Sequence, residues 1–176
     1  TRMPARATLE GETETEVCII GGGLAGLNTA LSLGERGVKS VVLEARRAGW
    51  GASGRNGGFV GAGFSEDVGA IESRLGLDHA RKLRNLTGEA VKLVKHRIES
   101  YQIACSPVFS GSVRAWWTDK PGEAKKKGET LREKFDVAVE YWPRDKLRSV
   151  INTARYHDGL CFTESFNFHP LNFSLG

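Results

Sequence analysis

Apolar residues in the first third of the chain follow the pattern of a strand, a helix and a second strand. Residues 17–20 (VCII) form a continuous apolar run that ends in glycine, which is typical of a strand buried on both faces. Residues 24–36 carry apolar side chains at near-helical spacing until Gly37, and residues 40–43 (SVVL) predict a second buried strand. Elements in this order predict a βαβ unit with parallel strands and a right-handed crossover.

The middle of the chain changes from helical to strand-like patterning. Residues 66–101 carry apolar side chains every three or four positions, which predicts an amphipathic helical region that Gly76 and Gly88 divide or weaken. Residues 107–118 (PVFSGSVRAWWT) are rich in β-branched and aromatic residues. They predict a hairpin or strand pair around Ser110 and Gly111.

The last third predicts a surface helix, short strands and a final helix. Residues 123–135 are highly charged and predict the surface helix, and residues 137–139 predict a short strand. Residues 154–168 predict further strand with a turn at 157–159 (HDG). A helix is expected to begin at Pro170, because proline is favoured at the first helical position, and His169 is expected to cap or position that helix.

Composition and cysteine usage limit the class of protein. The chain has 176 residues, of which 40% are hydrophobic and 26% charged, and these values are typical of a soluble globular domain. No apolar run approaches the ~20 residues of a membrane span, and residues 1–16 lack the apolar core of a signal peptide, so we expect a cytoplasmic protein. Cys18, Cys105 and Cys161 are odd in number and far apart, which predicts reduced structural thiols and no metal site.

The net charge of +4 and the pI of about 9.1 make the chain mildly basic. The densest basic cluster, residues 125–127 (KKK), lies among acidic residues and is typical of a solvated helix face. No nucleic-acid-binding signature accompanies this cluster. We therefore expect no nucleic-acid partner.

A dinucleotide motif lies between the two predicted strands. In Gly21-x-Gly23-x-x-Gly26 a strand comes directly before the glycines and a helix directly after them. Gly21 permits the tight turn, Gly23 lets the backbone approach a pyrophosphate, and Gly26 lets the helix press against the strand. A glycine-rich turn that binds no ligand is the alternative.

Two further features agree with a dinucleotide at this turn. The helix N-terminus presents unpaired N–H groups, around Leu24 and Ala25, to phosphates. Glu44 ends the second strand, where a carboxylate accepts hydrogen bonds from ribose hydroxyls and disfavours a 2′-phosphate. The motif thus favours FAD or NAD over NADP, but it does not choose between the first two.

A second glycine-rich segment, residues 49–59 (GWGASGRNGGF), follows Glu44 closely. It holds too many glycines for a long helix or strand, so something must approach its backbone closely. A loop at this position can pass under the ribityl chain and ring of a flavin, with Ser53 and Asn56 as hydrogen-bonding groups. The segment therefore favours FAD.

The residues IIGGGLAGLNTALSLGERG and VVLEARRAGWGASGRNGG resemble the start of the D-amino-acid-oxidase-like family of FAD-dependent oxidoreductases. The later segments RYHDGLCF and FHPLN resemble another part of that family, and the likeness is strong over 16–60 and weak over 60–150. Together with the helix N-terminus, the resemblance implies an FAD site made by Gly21, Gly23, Leu24, Ala25, Gly26, Glu44, Ala45, Arg46, Gly51, Ala52, Ser53, Asn56, Gly57 and Gly58.

The resemblance also implies an architecture. The expected fold class is α/β, a Rossmann-like FAD-binding βαβ domain with part of an α+β substrate domain. The expected organisation is a lead segment over 1–15, an FAD-binding part over 16–105 and a partial substrate-domain segment over 106–176. Because members of the family continue well past this length, we expect a truncated N-terminal fragment that is inactive alone.

The implied reaction is the oxidation of an amine or amino acid by hydride transfer to flavin N5, followed by imine hydrolysis and reoxidation of the flavin by O2. No catalytic residue is assigned. Tyr156 and His157 either line a substrate pocket or occupy an ordinary turn or sheet position. Arg55 either reaches the cofactor or substrate or forms a surface salt bridge.

A non-catalytic dinucleotide-binding or assembly module is the alternative function. Under either reading, a sheet edge and apolar faces left uncovered favour self-association or recruitment of the missing C-terminal half.

Overall fold

The βαβ unit predicted from the apolar pattern is present. In the computed structural model, which describes residues 6–176, it consists of β1 (Val17–Ile20), α1 (Leu24–Gly34) and β2 (Ser40–Leu43). The strands pair in parallel, with Val17 opposite Ser40 and Ile20 opposite Leu43. The expected parallel arrangement is therefore confirmed.

The expectation that both strands are buried on both faces is wrong. Along β1, Val17 and Ile19 are half-buried, whereas Cys18 and Ile20 are exposed, and 88% of the Ile20 surface is accessible. Parallel strands become buried on both faces only where other elements cover both faces. Within residues 6–176 this sheet contains two strands, and α1 packs against the face that carries Ile19.

The described residues pack as two compact units that alternate along the chain. The first unit combines residues 6–58, 97–107 and 168–176, and the second combines residues 59–96 and 108–167. The first unit thus contains the βαβ unit, the glycine-rich loop and the last helix. The assignment of FAD binding to 16–105 and of a substrate role to 106–176 stays a prediction about function.

The second unit is built around a three-stranded antiparallel sheet. The strands are β4 (Ser112–Trp116), β6 (Asp158–Phe162) and β5 (Val139–Trp142), in the order β4–β6–β5. Leu160 in the central strand is fully buried and packs with residues of the neighbouring helix. The unit's helices are α2 (Val68–Leu75), most of α3 (Leu77–Ser100), α4 (Glu123–Phe135) and α5 (Arg144–Val150).

The two glycines of the central helical region behave differently. Gly76 has a φ of 80° and ends α2, because glycine adopts this left-handed backbone without steric cost. Gly88 lies in the interior of α3, which continues past it. The division at Gly76 is therefore confirmed. Gly88 does not divide α3, because a single interior glycine weakens a helix by only about 1 kcal/mol.

The hairpin expected around Ser110 and Gly111 is absent from the described structure. Only Ser112–Trp116 forms a strand, and its partner is β6, far along the chain. β-branched and aromatic residues indicate that a segment favours extended backbone, but they do not indicate its partner.

Two further strand expectations need correction. The strand expected at 137–139 begins at Val139 and runs to Trp142. The turn expected at 157–159 is wrong, because Asp158 and Gly159 are the first residues of β6. The turn falls instead at residues 163–164, before β7 (Phe166–Asn167), which pairs with β3 (Phe59–Val60).

The last helix, α6 (Pro170–Leu175), begins where the sequence predicts. The His169 Nδ1 atom accepts a hydrogen bond from the backbone N–H of Asn172 at 3.1 Å. This bond satisfies one of the donors that every helix N-terminus leaves without an internal partner. The predicted capping role of His169 is confirmed.

The three cysteines are free thiols in the structure. Cys105 and Cys161 are buried, and burial raises the pKa of both. Over residues 6–176, no helix has the length and apolar character needed to cross a bilayer. Within the same range, no three His, Cys, Asp or Glu side chains are grouped so that they could hold a metal ion.

Candidate dinucleotide site

Gly21 makes the turn from β1 into α1. Its φ is 101°, a backbone conformation that residues with a Cβ rarely adopt. Its N–H donates to the Leu43 carbonyl at 2.7 Å, so the turn is tied directly to the end of β2. This geometry supplies the tight turn predicted from the motif.

Gly26 lets α1 lie directly on the strand. A Cβ at this position would overlap the Gly21 carbonyl oxygen and would stand 3.2 Å from Ile19 Cγ2. The carbonyl belongs to the backbone and cannot rotate away. The close helix–strand packing predicted for Gly26 is therefore present.

The N-terminus of α1 is open to an anion. Gly23 is its N-cap and has no side chain to cap it, and the first bond within the helix runs from the Leu27 N–H to the Gly23 carbonyl at 2.9 Å. The N–H groups of Ala25 and Gly26 precede that bond and have no acceptor within the helix. With about half a positive charge at a helix N-terminus, these groups suit a phosphate.

The Glu44 side chain is exposed, and hydrogen bonds from backbone N–H groups hold its carboxylate in place. Its Oε2 accepts the Gly22 N–H at 2.7 Å, and its Oε1 accepts the Arg46 N–H at 2.9 Å. These two backbone hydrogen bonds, the one from Gly22 first, lower the pKa of the carboxyl. Each oxygen keeps a further lone pair, so the ionised group can still accept ribose hydroxyls.

Some glycines of the loop serve internal packing. A Cβ on Gly58 would overlap the Phe168 carbonyl oxygen, and the φ of Gly58 is 69°. A Cβ on Gly54 would overlap the Gly49 carbonyl oxygen and stand 2.9 Å from Leu171 Cδ1 in α6. Part of the glycine content is thus explained by close approach of the chain to itself.

Other small residues of the loop face open space. Among residues 6–176, no heavy atom lies within 4 Å of the position that a Gly51 Cβ would take. Ala52 and Gly57 are exposed, and Ala52 begins a one-turn 3₁₀ helix, Ala52–Gly54. These residues leave backbone accessible to a ligand.

The two polar side chains of the loop hold its shape. The Ser53 hydroxyl accepts the Leu24 N–H at 2.9 Å, which joins the loop to the first residue of α1. Asn56 donates through Nδ2 to the carbonyls of Ala52 and Ser53, and its Oδ1 accepts the Gly58 N–H at 2.7 Å. The sequence predicted hydrogen-bonding groups here, and the structure gives both of them partners within the protein.

Three guanidinium groups surround the exposed Trp50 ring. The Cζ atoms of Arg55, Arg47 and Arg46 lie 4.5, 5.2 and 5.6 Å from the ring centroid, as in cation–π contacts. The Arg55 Nε also donates to the Trp50 carbonyl at 2.7 Å. Their combined charge makes this part of the loop attractive to anions.

A cavity of about 520 Å³ opens beside the turn. The residues that line it include Gly22 and Leu24 of the turn, Leu27 and Leu31 of α1, and Arg46. The volume is in the range of small-molecule sites, about 300–1,000 Å³. The lining thus combines apolar side chains with a cationic one.

Tyr156 and His157, the pocket candidates from the sequence, lie in the second unit. The His157 Nδ1 contacts the Arg144 guanidinium and lies 3.4 Å from the Asp119 carboxylate. Tyr156 packs edge-to-face against Trp117. The structure places both in surface clusters and adds no catalytic assignment.

Sequence reasoning missed two residues behind the turn, Asn28 and Arg97. Asn28 bonds to Leu24 of the first helical turn, and Arg97 bonds to Asn28. The position of Asn28, four residues after Leu24, is the only local signal for the first contact. Nothing in the sequence near Arg97 indicates the second.

Comparisons with known proteins indicate the family of this chain. Residues 16–176 match the model of the family described as FAD dependent oxidoreductase. The chain is 34% identical to gamma-glutamylputrescine oxidoreductase of Escherichia coli over 169 residues, which cover 96% of this chain and 40% of that protein. It is 35% identical to probable oxidoreductase OrdL of Haemophilus influenzae over 162 residues, 92% of this chain and 38% of that protein.

The fold matches part of larger solved structures. L-amino acid deaminase from Proteus myxofaciens superposes with a TM-score of 0.74 at 21% identity, over 98% of this chain and 38% of that one. The chain therefore spans about 40% of the length of the relatives it matches. The family model extends over residues 16–176 and leads to one conclusion: the chain belongs to the family of FAD-dependent oxidoreductases.

Proposed function

We propose that this chain is the N-terminal part of an FAD-dependent oxidoreductase that oxidises an amine or an amino acid. The observation that carries the proposal is the open N-terminus of α1 beside the ionised Glu44. The printed names of the relatives, a gamma-glutamylputrescine oxidoreductase and an L-amino acid deaminase, support the substrate class. The amine itself stays open.

The turn and the loop hold different parts of the cofactor in this proposal. The backbone amides at the start of α1 bind the pyrophosphate, and Glu44 accepts the hydroxyls of the adenosine ribose. The loop backbone approaches the ribityl-flavin half, and Arg46 supplies positive charge near the phosphates. The complete proposed set is Gly21, Gly23, Leu24, Ala25, Gly26, Glu44, Ala45, Arg46, Gly51, Ala52, Ser53, Asn56, Gly57 and Gly58.

The protein's own contribution is binding, orientation and electrostatics. When bound, FAD supplies a two-electron acceptor at N5 for hydride from the C–H bond beside an amine nitrogen. The imine so formed from the substrate hydrolyses to a carbonyl compound, and O2 is the proposed final electron acceptor. A neutral amine needs no general base for this step, so no catalytic residue is proposed.

The proposal includes polypeptide beyond this chain. Ile20 and Phe59 expose 88% and 79% of their surfaces, and large accessible apolar side chains mark surfaces that other polypeptide covers. We propose that the remainder of the longer protein covers them. Self-association of the chain is the competing outcome, and sedimentation distinguishes the two.

FAD binding is the first test. We expect the purified chain to quench FAD fluorescence on titration, because the open amides of α1 and Glu44 belong to the same unit of this chain. We expect no bleaching of the bound flavin by amines under anaerobic conditions, since we propose that the chain alone is inactive. A chain that takes up no FAD contradicts the proposed site and supports an assembly module instead.

Glu44→Gln tests the proposed ribose contact. We expect FAD affinity to fall about tenfold, the loss of roughly one charge-assisted hydrogen bond. Because the folded pKa of Glu44 is lowered, its contribution is complete above the ordinary pKa of a glutamate and is lost as the pH falls through the lowered value. FAD titrations from neutral to acidic pH measure both effects.

Glu16→Gln is the matched control. The Glu16 carboxylate likewise accepts a backbone N–H, that of Lys39 at 2.9 Å, but it lies at the opposite end of the parallel pair. We expect this variant to leave FAD affinity unchanged. Equal losses in the two variants would count against a ribose contact at Glu44.

A further inference from the structure

Arg97 is a buried cation behind the dinucleotide turn. It lies in the last turn of α3, and only 2% of its surface is accessible. Its Nη2 donates to the Ser32 hydroxyl at 2.8 Å, and its Nη1 donates to the Asn28 Oδ1. The Glu35 carboxylate lies 3.6 Å from Nη2. All three partners stand on α1 or at its end, so one guanidinium fixes α3 to α1.

Asn28 extends this contact to the turn. Its Nδ2 donates to the Leu24 carbonyl at 2.6 Å. The N–H of Leu24 donates in turn to the Ser53 hydroxyl at 2.9 Å. A continuous set of hydrogen bonds thus joins Arg97, Asn28, Leu24 and Ser53, and it ends at the two segments that form the proposed FAD site.

The side-chain amide of Asn28 can make both of its hydrogen bonds in only one orientation. A guanidinium has only donors, so it must meet the amide oxygen, and this leaves the amide NH₂ to face the Leu24 carbonyl. If the amide were reversed, Arg97 would meet another donor and Leu24 would lose its bond. Arg97 therefore determines how Asn28 holds the first turn of α1.

We propose that Arg97 is a positioning residue that, through Asn28, sets the first turn of α1 and its phosphate-facing amides. This inference rests on the proposed FAD site. The pairing of Arg97 itself is incomplete, since its buried Nε has no hydrogen-bond partner among the described residues. The Glu35 side chain is 40% accessible to solvent, so its ion pair with Arg97 is weak evidence of stabilisation. Orientation of α1 accounts for the arrangement better than stability does.

Two single variants separate positioning from packing. Asn28→Ala and Ser32→Ala each remove one hydrogen bond of Arg97, but only the first breaks the link to Leu24. We expect Asn28→Ala to weaken FAD binding about tenfold and Ser32→Ala to change it less than twofold, with similar melting temperatures. Equal effects of the two variants, or no effect of Asn28→Ala, overturn the proposal.

Arg97→Lys tests the guanidinium itself. Lysine keeps the charge, but its ammonium lacks the planar fork that holds Asn28 and Ser32 together. We expect a loss in FAD affinity of about the size seen for Asn28→Ala. We also expect little further loss when Arg97→Lys is added to Asn28→Ala, because the two residues act in series. Additive losses overturn the series arrangement.

Amide hydrogen exchange without FAD keeps this inference separate from the proposed function. We expect Asn28→Ala and Arg97→Lys each to speed exchange about tenfold at Leu24 and Leu27, whose N–H groups donate to Ser53 and Gly23, while exchange in β2 and in the Ser32→Ala variant stays as in the unmodified chain. If the chain binds no FAD, the proposed function fails and the exchange result still decides the role of Arg97. Unchanged exchange at Leu24 overturns it.

Discussion

Gly26→Ala is expected to abolish FAD binding and to lower the free energy of unfolding by about 3 kcal/mol, the upper part of the range for overpacking. The new methyl group would overlap the Gly21 carbonyl oxygen and press on Ile19. Since the carbonyl is backbone at the turn itself, α1 must move away from β1. That movement displaces the amides that face the phosphates.

Gly34→Ala is the matched control for Gly26. Both glycines belong to α1, but among residues 6–176 no heavy atom lies within 4 Å of a Cβ on Gly34. Alanine there should stabilise the helix by roughly 0.5–1 kcal/mol and leave FAD affinity unchanged. Urea unfolding and FAD titration measure the pair. If Gly26→Ala kept both its stability and its affinity, the close contact would not limit the site.

Elements governed by local periodicity could be predicted from the sequence. The βαβ unit could be predicted because its apolar runs, its glycine motif and Gly37 all lie within one short stretch. The helix over residues 123–135 was predicted at the observed bounds, since its charged pattern and its terminal residues are local too. His169 and Pro170 carried their own signal for a helix start.

Pairing between distant segments could not be predicted. β4 contains the residues expected to favour strand, yet its partner β6 lies beyond α4 and α5. The side-chain pattern of a strand reports which face is buried and not which strand lies beside it. The exposed side of β1 is a similar case, because an apolar run does not reveal whether both faces are covered.

In the candidate site, too, contacts between distant residues could not be predicted from the sequence. The glycine count of residues 49–59 predicted a close approach but not what approaches. Gly54 and Gly58 are close to other parts of this chain, whereas Gly51 faces open space. The proposed effect of Arg97 on the turn was harder still to predict from the sequence, since it depends on α3 ending beside α1.

The second large expected effect concerns Gly58, one of the loop glycines that pack against other parts of this chain. Gly58→Ala is expected to lower the free energy of unfolding by about 2–3 kcal/mol, from a left-handed backbone that disfavours alanine by about 1 kcal/mol and from overlap with the Phe168 carbonyl. We expect this loss with or without FAD. Thermal or urea unfolding of the ligand-free chain measures it.

Gly51→Ala should behave in the opposite way. Its φ of −76° lies outside the left-handed region and its ψ of −148° lies just past the edge of the β region, so alanine with open space around it is expected to change the stability by no more than about 1 kcal/mol. If the flavin half of FAD lies against this backbone, affinity should fall at least tenfold, because a methyl group then occupies the path of the ligand. A Gly51→Ala chain with unchanged FAD affinity would place the cofactor elsewhere. A Gly58→Ala chain with unchanged stability would remove the distinction between packing glycines and ligand-facing glycines.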